Sequence, residues 1–302
     1  MRFNLFSIFS QISDNLKMNN LLQPALLILF LGLACNPLKK EFEVHGHQGF
    51  RSVYPGNTLP SFKYAIENNV TILEMDVVLS KDKKLIVHHD HHLEKGSCLD
   101  ATGKIIAEDI AIQDLAYEQI KKYNCGIANP RFPGQQTVTA YQPSLEEVID
   151  LIKSYPEKKI TLSIETKHYP ALDIFVTPEE FAGILYDLLK EKSLLNSSYI
   201  QSFDYRILQA FKRLHPNAVL VALFEGNTVD YAREAKRYGA SIVSPNYLWL
   251  NKEIVYNIHA NGIRVIPWTV NDEKAVKNLL EMNVDGIISD NPLVVFGILK
   301  GK

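Results

Sequence analysis

Short apolar, β-branched runs recur along the chain and alternate with stretches that have helical spacing. The runs that we predict as strands are Glu43–His47, Thr71–Val78, Ile160–Thr166, Tyr199–Ser202, Ala218–Phe224, Ser241–Ser244, Arg264–Trp268 and Asp285–Ser289. Nearly continuous apolar strands that alternate with helices are typical of a parallel sheet covered by helices on its outer face. Eight such strands predict an α/β fold, a (β/α)₈ TIM barrel.

Polar residues mark where several helices begin. The segments Ser144–Glu147 and Thr177–Glu180 have the spacing of capping boxes, and the second has proline at its first helical position. Asp204 and Asn271 follow predicted strands directly, so we expect both to cap the next helix.

A further apolar run, Leu85–His89, follows Val78 too closely for a parallel crossover. We therefore predict the return arm of a β-hairpin after the second strand. With the turn centred near Asp82–Lys83, antiparallel pairing places His89 opposite Asp76.

Periodicity weakens from about residue 93 to residue 142, where Gly, Pro, Asn and Gln are scattered. Such a stretch predicts a small insertion over one mouth of the barrel. Cys98 and Cys125 both lie in it, and either a disulfide or two unpaired buried thiols fits their positions.

An apolar segment precedes the predicted barrel but is too short to span a hydrocarbon layer of about 30 Å. It predicts a signal peptide over residues 1–34 and a barrel domain over residues 35–302. Small residues followed by Cys35 resemble a bacterial lipobox, whereas an ordinary cleaved signal or a signal anchor is the alternative. We expect an exported bacterial protein, periplasmic or on the outer surface, with a lipid anchor at Cys35.

The charges of the 302-residue chain nearly balance, with 32 Lys and Arg against 34 Asp and Glu. A general affinity for nucleic acid needs a basic excess, which is missing. The ligand must therefore be recognised in a defined site.

Three acidic residues are predicted to meet at the rim of the barrel. Catalytic side chains of parallel barrels lie at the C-terminal ends of the strands. Glu74 and Asp76 are two apart on one strand and share a face, and Glu165 comes from a neighbouring strand. Three carboxylates that meet there cannot all remain ionised without a cation, and hard oxygen ligands suit Ca²⁺ or Mg²⁺ better than Zn²⁺.

The same rim is predicted to carry His47, His89 and Lys167. Two imidazoles beside a metal suggest a general acid and a general base, and a lysine there suggests compensation of anionic charge. Phosphodiester cleavage fits this set of groups. Each residue alone is more often an ordinary rim charge, so the prediction rests on their convergence. The run His88–His92 is not predicted as a metal cluster, because nitrogen-rich sites need defined spacing and a closed shell.

Motifs along the whole predicted barrel resemble the glycerophosphodiester phosphodiesterase family, within the phospholipase-C-like phosphodiesterase TIM-barrel superfamily. They occur in family order and are His47-Gln48-Gly49, Pro55-Gly56-Asn57-Thr58, Glu74-Met75-Asp76, His89-Asp90, Ile164–Lys167, Ser202–Asp204, Pro267–Val270 and Val284–Pro292. The resemblance implies hydrolysis of a small-molecule glycerophosphodiester to glycerol phosphate and an alcohol, with one divalent cation. It implies cation binding by Glu74, Asp76 and Glu165, acid–base catalysis by His47 and His89, phosphate contact by Lys167, and a pocket lined by Trp268.

The chain departs from the family pattern at two positions. The family motifs H-R-G and P-E-N-T have Gln48 and Gly56 here. Glutamine cannot copy the bidentate geometry of arginine on phosphate, so Arg51 is predicted to replace the missing charge. The predicted substrate-binding set is therefore Lys167, Gln48, Arg51 and Trp268.

Two other functions fit the sequence. One is a phospholipase-D-like or lysophospholipid-cleaving enzyme, with Tyr247–Leu250 as an apolar track to the site. The other is a non-catalytic binding lipoprotein on a degenerate barrel, suggested by Gln48 and Gly56.

Overall fold

The computed structural model describes residues 41–169, 174–226 and 230–301. The predicted signal peptide and Cys35 lie outside these residues. Within the described ranges, no helix combines the length and the apolar character needed to cross a membrane.

Eight of the eleven strands in the described residues form a nearly closed parallel barrel. In chain order they are β1 (Glu43–Gly46), β2 (Ile72–Leu79), β3 (Leu85–Val87), β4 (His92–Leu93), β5 (Ile110–Ala111), β6 (Thr161–Thr166), β7 (Ser198–Ser202), β8 (Val219–Phe224), β9 (Ile242–Pro245), β10 (Arg264–Val265) and β11 (Gly286–Ser289). The sheet order is β10-β9-β8-β7-β6-β2-β1-β11, and all these ladders are parallel. Backbone hydrogen bonds of 2.9 Å from Asp285 N to Val265 O and of 3.0 Å from Ile288 N to Pro267 O join the two ends. The predicted (β/α)₈ architecture is confirmed.

Helices follow the barrel strands in the alternation that the sequence predicts. They are α1 (Leu59–Glu67), α2 (Tyr117–Ile120), α3 (Leu145–Lys153), α4 (Pro178–Glu191), α5 (Tyr205–Leu214), α6 (Tyr231–Tyr238), α7 (Lys252–Ala260), α8 (Glu273–Glu281) and α9 (Pro292–Lys300). Buried phenylalanines on three of them, Phe62, Phe181 and Phe211, join strand residues in one apolar cluster. Burial of such a side chain contributes roughly 1.5–3 kcal/mol, so the helices hold the barrel together from outside.

The helix starts agree with the sequence in most cases. Ser144–Glu147 forms a reciprocal capping box, and Thr177 accepts a hydrogen bond from the backbone of its helix. The prediction that Asn271 caps a helix is wrong, because the side chain of Asp272 caps α8. Asn271 instead binds Asp290, through hydrogen bonds that belong to the site described below.

The predicted hairpin is present, but its register differs by one residue. Strand β3 pairs antiparallel with β2, and His88 N donates to Asp76 O at 3.0 Å. Asp76 therefore lies opposite His88, not His89. The turn is centred on Asp82 alone, with Lys83 in the left-handed region at φ 58°, and this geometry shifts the pairing by one position.

The stretch predicted as an insertion shares a small apolar core with Val78 and Ile86 of the β2–β3 hairpin. It contains the two-stranded sheet β4–β5 and the short helix α2. Cys98 and Cys125 are joined by a disulfide, which decides between the two alternatives left open by the sequence. The disulfide packs with Leu93, Ile112 and Ile120, and it links two positions 27 residues apart within the insertion.

Candidate active site

Three buried carboxylates meet where β2 and β6 run side by side. Asp76 on β2 and Glu165 on β6 are register partners, and Glu74 lies two residues earlier on β2. One oxygen from each carboxylate lies within 4.8 Å of the others. Their exposed fractions are 2% for Glu74, 1% for Asp76 and 7% for Glu165, so water does little to stabilise their charges.

Neutral donors orient two of these carboxylates. Gln48 donates from its backbone N to Glu74 Oε2 at 3.0 Å and from its side-chain Nε2 to Asp76 Oδ2 at 2.7 Å. Asn57 Nδ2 donates to the same Asp76 oxygen at 2.8 Å, and Gln201 Nε2 donates to Glu74 Oε1 at 2.8 Å. Because amides carry no charge, these contacts orient the carboxylates without neutralising them.

A single buried lysine lies among the three acids. Lys167 Nζ is 3.1 Å from Asp76 Oδ1 and 2.6 Å from Glu165 Oε1. Apart from this ammonium group, neither oxygen has a hydrogen-bond partner among the described residues. One positive charge for three negative ones leaves the cluster short of positive charge. Oxygen ligands with this excess charge fit a hard divalent cation.

The pKa values of the three acids reflect the same excess of negative charge in the cluster. Burial, with the charges of Asp76 and Glu165, raises the pKa of Glu74 well above its usual range. Burial also raises the pKa of Glu165 to about 7 against the opposing charge of Lys167. For Asp76, burial is outweighed by Lys167 and His89, which hold its pKa below the usual range. A cation at the triad would favour the ionised form of all three acids.

We expect Glu165 to destabilise the metal-free protein as pH rises. Its folded-state pKa of about 7 lies above the usual 4.5, so its contribution to stability is present below about pH 4.5 and is lost as pH rises through about 7. The loss is on the order of 3 kcal/mol. The stability of Glu165→Gln relative to the unaltered protein should therefore increase by that amount between pH 4.5 and 8 in chelator, as measured by urea unfolding. If the stability difference between the two proteins does not change with pH, the ionised Glu165 does not destabilise the fold.

The carboxylate of Asp290 orients His47 through the ring nitrogen that faces away from Glu74. His47 follows β1, and its Nδ1 lies 2.6 Å from Asp290 Oδ1. Asn271 Nδ2 donates to Asp290 Oδ2 at 2.6 Å, and Asn271 Oδ1 accepts from Asp290 N at 2.9 Å. With Nδ1 occupied, His47 Nε2 faces the site, 3.9 Å from Glu74 Oε2. A carboxylate on one ring nitrogen fixes the tautomer and orientation of the other.

His89, which lines the same site, has a similar partner. Its Nδ1 lies 2.9 Å from Asp90 Oδ1, and its side chain is about half exposed. Burial lowers the pKa of His89, but the hydrogen bond to Asp90 and the charge of Asp76 outweigh it, so the net pKa is raised. A histidine with a raised pKa is suited to donate a proton near neutral pH.

One cavity of about 380 Å³ brings most of the predicted site together. The predicted residues that line it are His47, Arg51, Glu74, His89, Glu165, Lys167 and Trp268. Asp76 is not in the lining. Gln48 lines an adjoining cavity of about 340 Å³, which the insertion helps to form and which shares Arg51 and His89 with the first. The amide of Gln48 faces Asp76 in the structure.

An aromatic wall forms part of the first cavity. Trp268 donates from Nε1 to Ser244 O at 2.8 Å, and its ring meets Phe203 edge to face at 6.0 Å. Phe203 in turn stacks against Tyr169 at 6.5 Å. The predicted apolar track Tyr247–Leu250 does not line this cavity, whereas Leu223 and Ile288 add apolar surface beside the aromatic wall.

Arg51 lies where the two cavities adjoin, and its positive charge can be reached from both. Its guanidinium lies 5.0 Å from the centre of the Phe132 ring in the insertion. It lines both cavities, as a cation that binds phosphate at the mouth would.

The sequence missed several residues of the site. Asp290 and Phe203 lie in the family-like motifs, and the available signal was their position directly after a predicted strand. Asn57 also lies in such a motif. Gln201 and Tyr169 had no sequence signal, because only the fold brings them to the cavity.

The barrel and its site together indicate a hydrolase of phosphodiesters. Residues 47–294 match the model of the glycerophosphoryl diester phosphodiesterase family, and the chain belongs to this family. The predicted family and enzyme class are thereby confirmed.

Relatives match along most of their own length. A glycerophosphodiester phosphodiesterase of Bacillus subtilis strain 168 is 30% identical over 268 residues, which cover 84% of this chain and 85% of the relative. One from Bacillus altitudinis is 28% identical over 258 residues, covering 83% and 95%.

Solved structures share the fold. A Silicibacter pomeroyi protein, described as a candidate glycerophosphoryl diester phosphodiesterase, has a TM-score of 0.82 at 27% identity and covers 87% of this chain and 94% of its own. An Oleispira antarctica phosphodiesterase in complex with the product sn-glycerol-3-phosphate has a TM-score of 0.72 at 23% identity, covering 85% and 96%.

Proposed function

We propose that the protein hydrolyses glycerophosphodiesters to glycerol phosphate and an alcohol, using one divalent cation, Mg²⁺ or Ca²⁺, and histidine acid–base catalysis. The observation that carries this proposal is that a buried lysine, two carboxylate-bound histidines and two members of the carboxylate triad line one cavity, with the third member, Asp76, in contact with that lysine. The names of the relatives support the same substrate class.

Glu74, Asp76 and Glu165 would hold the cation. When bound, the cation neutralises charge on the phosphoryl oxygens and polarises the phosphorus centre. Lys167 contributes a second positive charge that is fixed by Asp76 and Glu165, so it need not reorganise during the reaction. Burial lowers the pKa of Lys167, but these two carboxylates outweigh it and keep the pKa above its usual range, so the amine stays charged.

The two histidines move protons at the cavity. His47 and His89 each use Nδ1 to contact a carboxylate, which leaves Nε2 free to exchange a proton. One Nε2 accepts a proton from the attacking oxygen, and the other donates a proton to the leaving alcohol. The aromatic wall of Tyr169, Phe203 and Trp268 then contacts the carbon skeleton of the substrate.

The substrate class can be tested by comparing head groups and lipids. We expect the purified protein to cleave glycerophosphocholine and glycerophosphoethanolamine with a higher kcat/KM than lysophosphatidylcholine. Among the described residues, the lining of the cavity of about 380 Å³ combines charged and polar side chains with the aromatic wall and includes no long apolar track for an acyl chain. A higher kcat/KM for lysophosphatidylcholine would favour the lysophospholipase-D-like alternative, and binding of these compounds without turnover would favour a binding lipoprotein.

Arg51 is proposed to replace the family's missing arginine at the phosphate. Truncation in Arg51→Ala should remove a charge-assisted contact of about 1.5–3 kcal/mol and lower kcat/KM roughly 10- to 100-fold. The matched control is Arg131→Ala, an exposed arginine of the insertion that lines neither cavity. Steady-state hydrolysis of glycerophosphocholine checks both variants, and unchanged kcat/KM in Arg51→Ala would eliminate this role.

We also propose that the protein is exported and tethered by lipid at Cys35. The Cys98–Cys125 disulfide supports export, because structural disulfides are typical of oxidising compartments. Metabolic labelling with a radioactive fatty acid should mark the unaltered protein and not Cys35→Ser. Equal labelling of the two would contradict the anchor.

A further inference from the structure

The two positions that depart from the family pattern are in contact with each other. A Cβ atom added to Gly56 would lie 2.3 Å from Gln48 Oε1 and 3.0 Å from Gln48 Cβ. It would also lie 3.2 Å from Arg51 Cγ. The glycines with a left-handed backbone do not include Gly56, so residue 56 lacks a side chain for reasons of space.

The space above Gly56 is filled by an amide that reaches the triad. Gln48 is 3% exposed, and its Nε2 donates to Asp76 Oδ2 at 2.7 Å. Its backbone N donates to Glu74 Oε2 at 3.0 Å, from a left-handed conformation with φ 52°. One residue therefore orients two of the three carboxylates, one through its main chain and the other through its side chain.

We propose that Gln48 is a positioning residue of the cation site and that Gly56 provides the space that its amide requires. The amide holds Asp76 Oδ2 and leaves Oδ1 on the side of Lys167 and Glu165. Because the amide is neutral, it orients Asp76 without adding a positive charge that would repel a divalent cation. The two departures are thus one coupled change at the cation site. This inference rests on one part of the proposed function, the binding of a cation at the triad.

A methyl group on Gly56 tests the coupling. In Gly56→Ala the methyl displaces the flexible end of Gln48, so we expect the barrel to fold and the contact with Asp76 to be lost. Loss of such an outer contact typically weakens metal binding about 10- to 100-fold. Gly183→Ala is the matched control, because its added methyl meets nothing within 4 Å.

Isothermal titration with Mg²⁺, and separately with Ca²⁺, gives the Kd of each purified variant. We expect Gly56→Ala and Gln48→Ala to weaken cation binding about equally, and the double variant to bind no more weakly than Gln48→Ala alone. The concentration of Mg²⁺ that half-restores activity should rise by the same factor, while KM at saturating Mg²⁺ stays constant. Losses that multiply in the double variant, or an unchanged Kd in Gly56→Ala, would overturn the coupling.

Arg51 needs its own comparison, because the added methyl also approaches its stem. The loss of cation affinity caused by Gly56→Ala should be the same in an Arg51→Ala background. If that loss disappears, Arg51 is the residue that Gly56 accommodates, and the assignment to Gln48 is wrong. Should Gly56→Ala fail to fold, Gln48→Ala alone decides, since full cation affinity in that variant contradicts a positioning role.

The proposed function and this inference fail in different ways. If the unaltered protein binds neither cation, the proposed cation site is wrong and the inference fails with it. Binding without hydrolysis contradicts the proposed catalysis, yet the measured Kd values still test Gln48 and Gly56.

Discussion

Glu74→Gln is expected to abolish measurable cation binding and to lower kcat/KM about 10³-fold or more. The substitution keeps the size of a 2%-exposed side chain and removes one of three negative ligands. A bound metal stabilises transition-state charge by several kcal/mol, and each 1.36 kcal/mol is a factor of ten in rate. Calorimetric titration with Mg²⁺ and Ca²⁺ and steady-state hydrolysis of glycerophosphocholine measure the two effects.

Two comparisons make the result of Glu74→Gln specific. Glu108→Gln, at an exposed glutamate of the insertion, should leave both measurements unchanged. The metal-free stability of Glu74→Gln should be equal to or higher than that of the unaltered protein, because a buried acid with a raised pKa is removed. Hydrolysis that persists at the unaltered rate would rule out Glu74 as a ligand of a catalytic cation.

His47→Ala is expected to lower kcat by about 10² to 10⁴, the usual contribution of a general acid or base. Its Nδ1 is bound to Asp290, so the loss concerns a proton at Nε2 and not the cation ligands. Cation affinity in His47→Ala should therefore stay within a few-fold of the unaltered value. Pre-steady-state and steady-state hydrolysis, together with calorimetry, separate the two properties.

An exposed histidine on β4 provides the control for His47→Ala. His92 is exposed and lines neither cavity, so His92→Ala should retain full activity. A His47→Ala enzyme with unaltered kcat would show that proton transfer occurs elsewhere. Loss of cation binding along with activity would instead make His47 part of the cation site.

Much of the site could be predicted because residues at the C-terminal ends of the strands of a parallel barrel lie at the same rim. Asp76 and Glu165 lie far apart in sequence, yet they are register partners on adjacent strands. His47 and Lys167 follow the ends of β1 and β6. The periodicity of apolar residues fixes which strands exist and which residues end them, so convergence at one rim follows from the fold class.

The sequence pattern could not predict which groups the side chains contact. Asn271 has the position of a helix cap, but its side chain turns to Asp290 and leaves capping to Asp272. That choice depends on the closing contact of β11 with the rest of the barrel, which no local pattern encodes. The predicted register of the β2–β3 hairpin was wrong for a similar reason, because a one-residue change in the turn moves His88 into the place expected for His89.

Gln48 is another residue whose contacts could not be predicted from the sequence pattern. From the motif, it was a phosphate-binding position that had lost its charge. The structure places its amide on Asp76, in a space that exists because residue 56 is glycine. Two departures 8 residues apart in the chain could be related only once the loop between β1 and α1 was folded.

The central claim, cation-dependent hydrolysis of a glycerophosphodiester at this cavity, is tested most directly by following glycerophosphocholine with phosphorus NMR. The purified protein is assayed after chelation, and again after Mg²⁺ or Ca²⁺ is returned. We predict that the glycerol phosphate signal is absent with chelator and appears when the cation is restored. Equal turnover in chelator, or no turnover in the folded protein with either cation bound, would contradict the account.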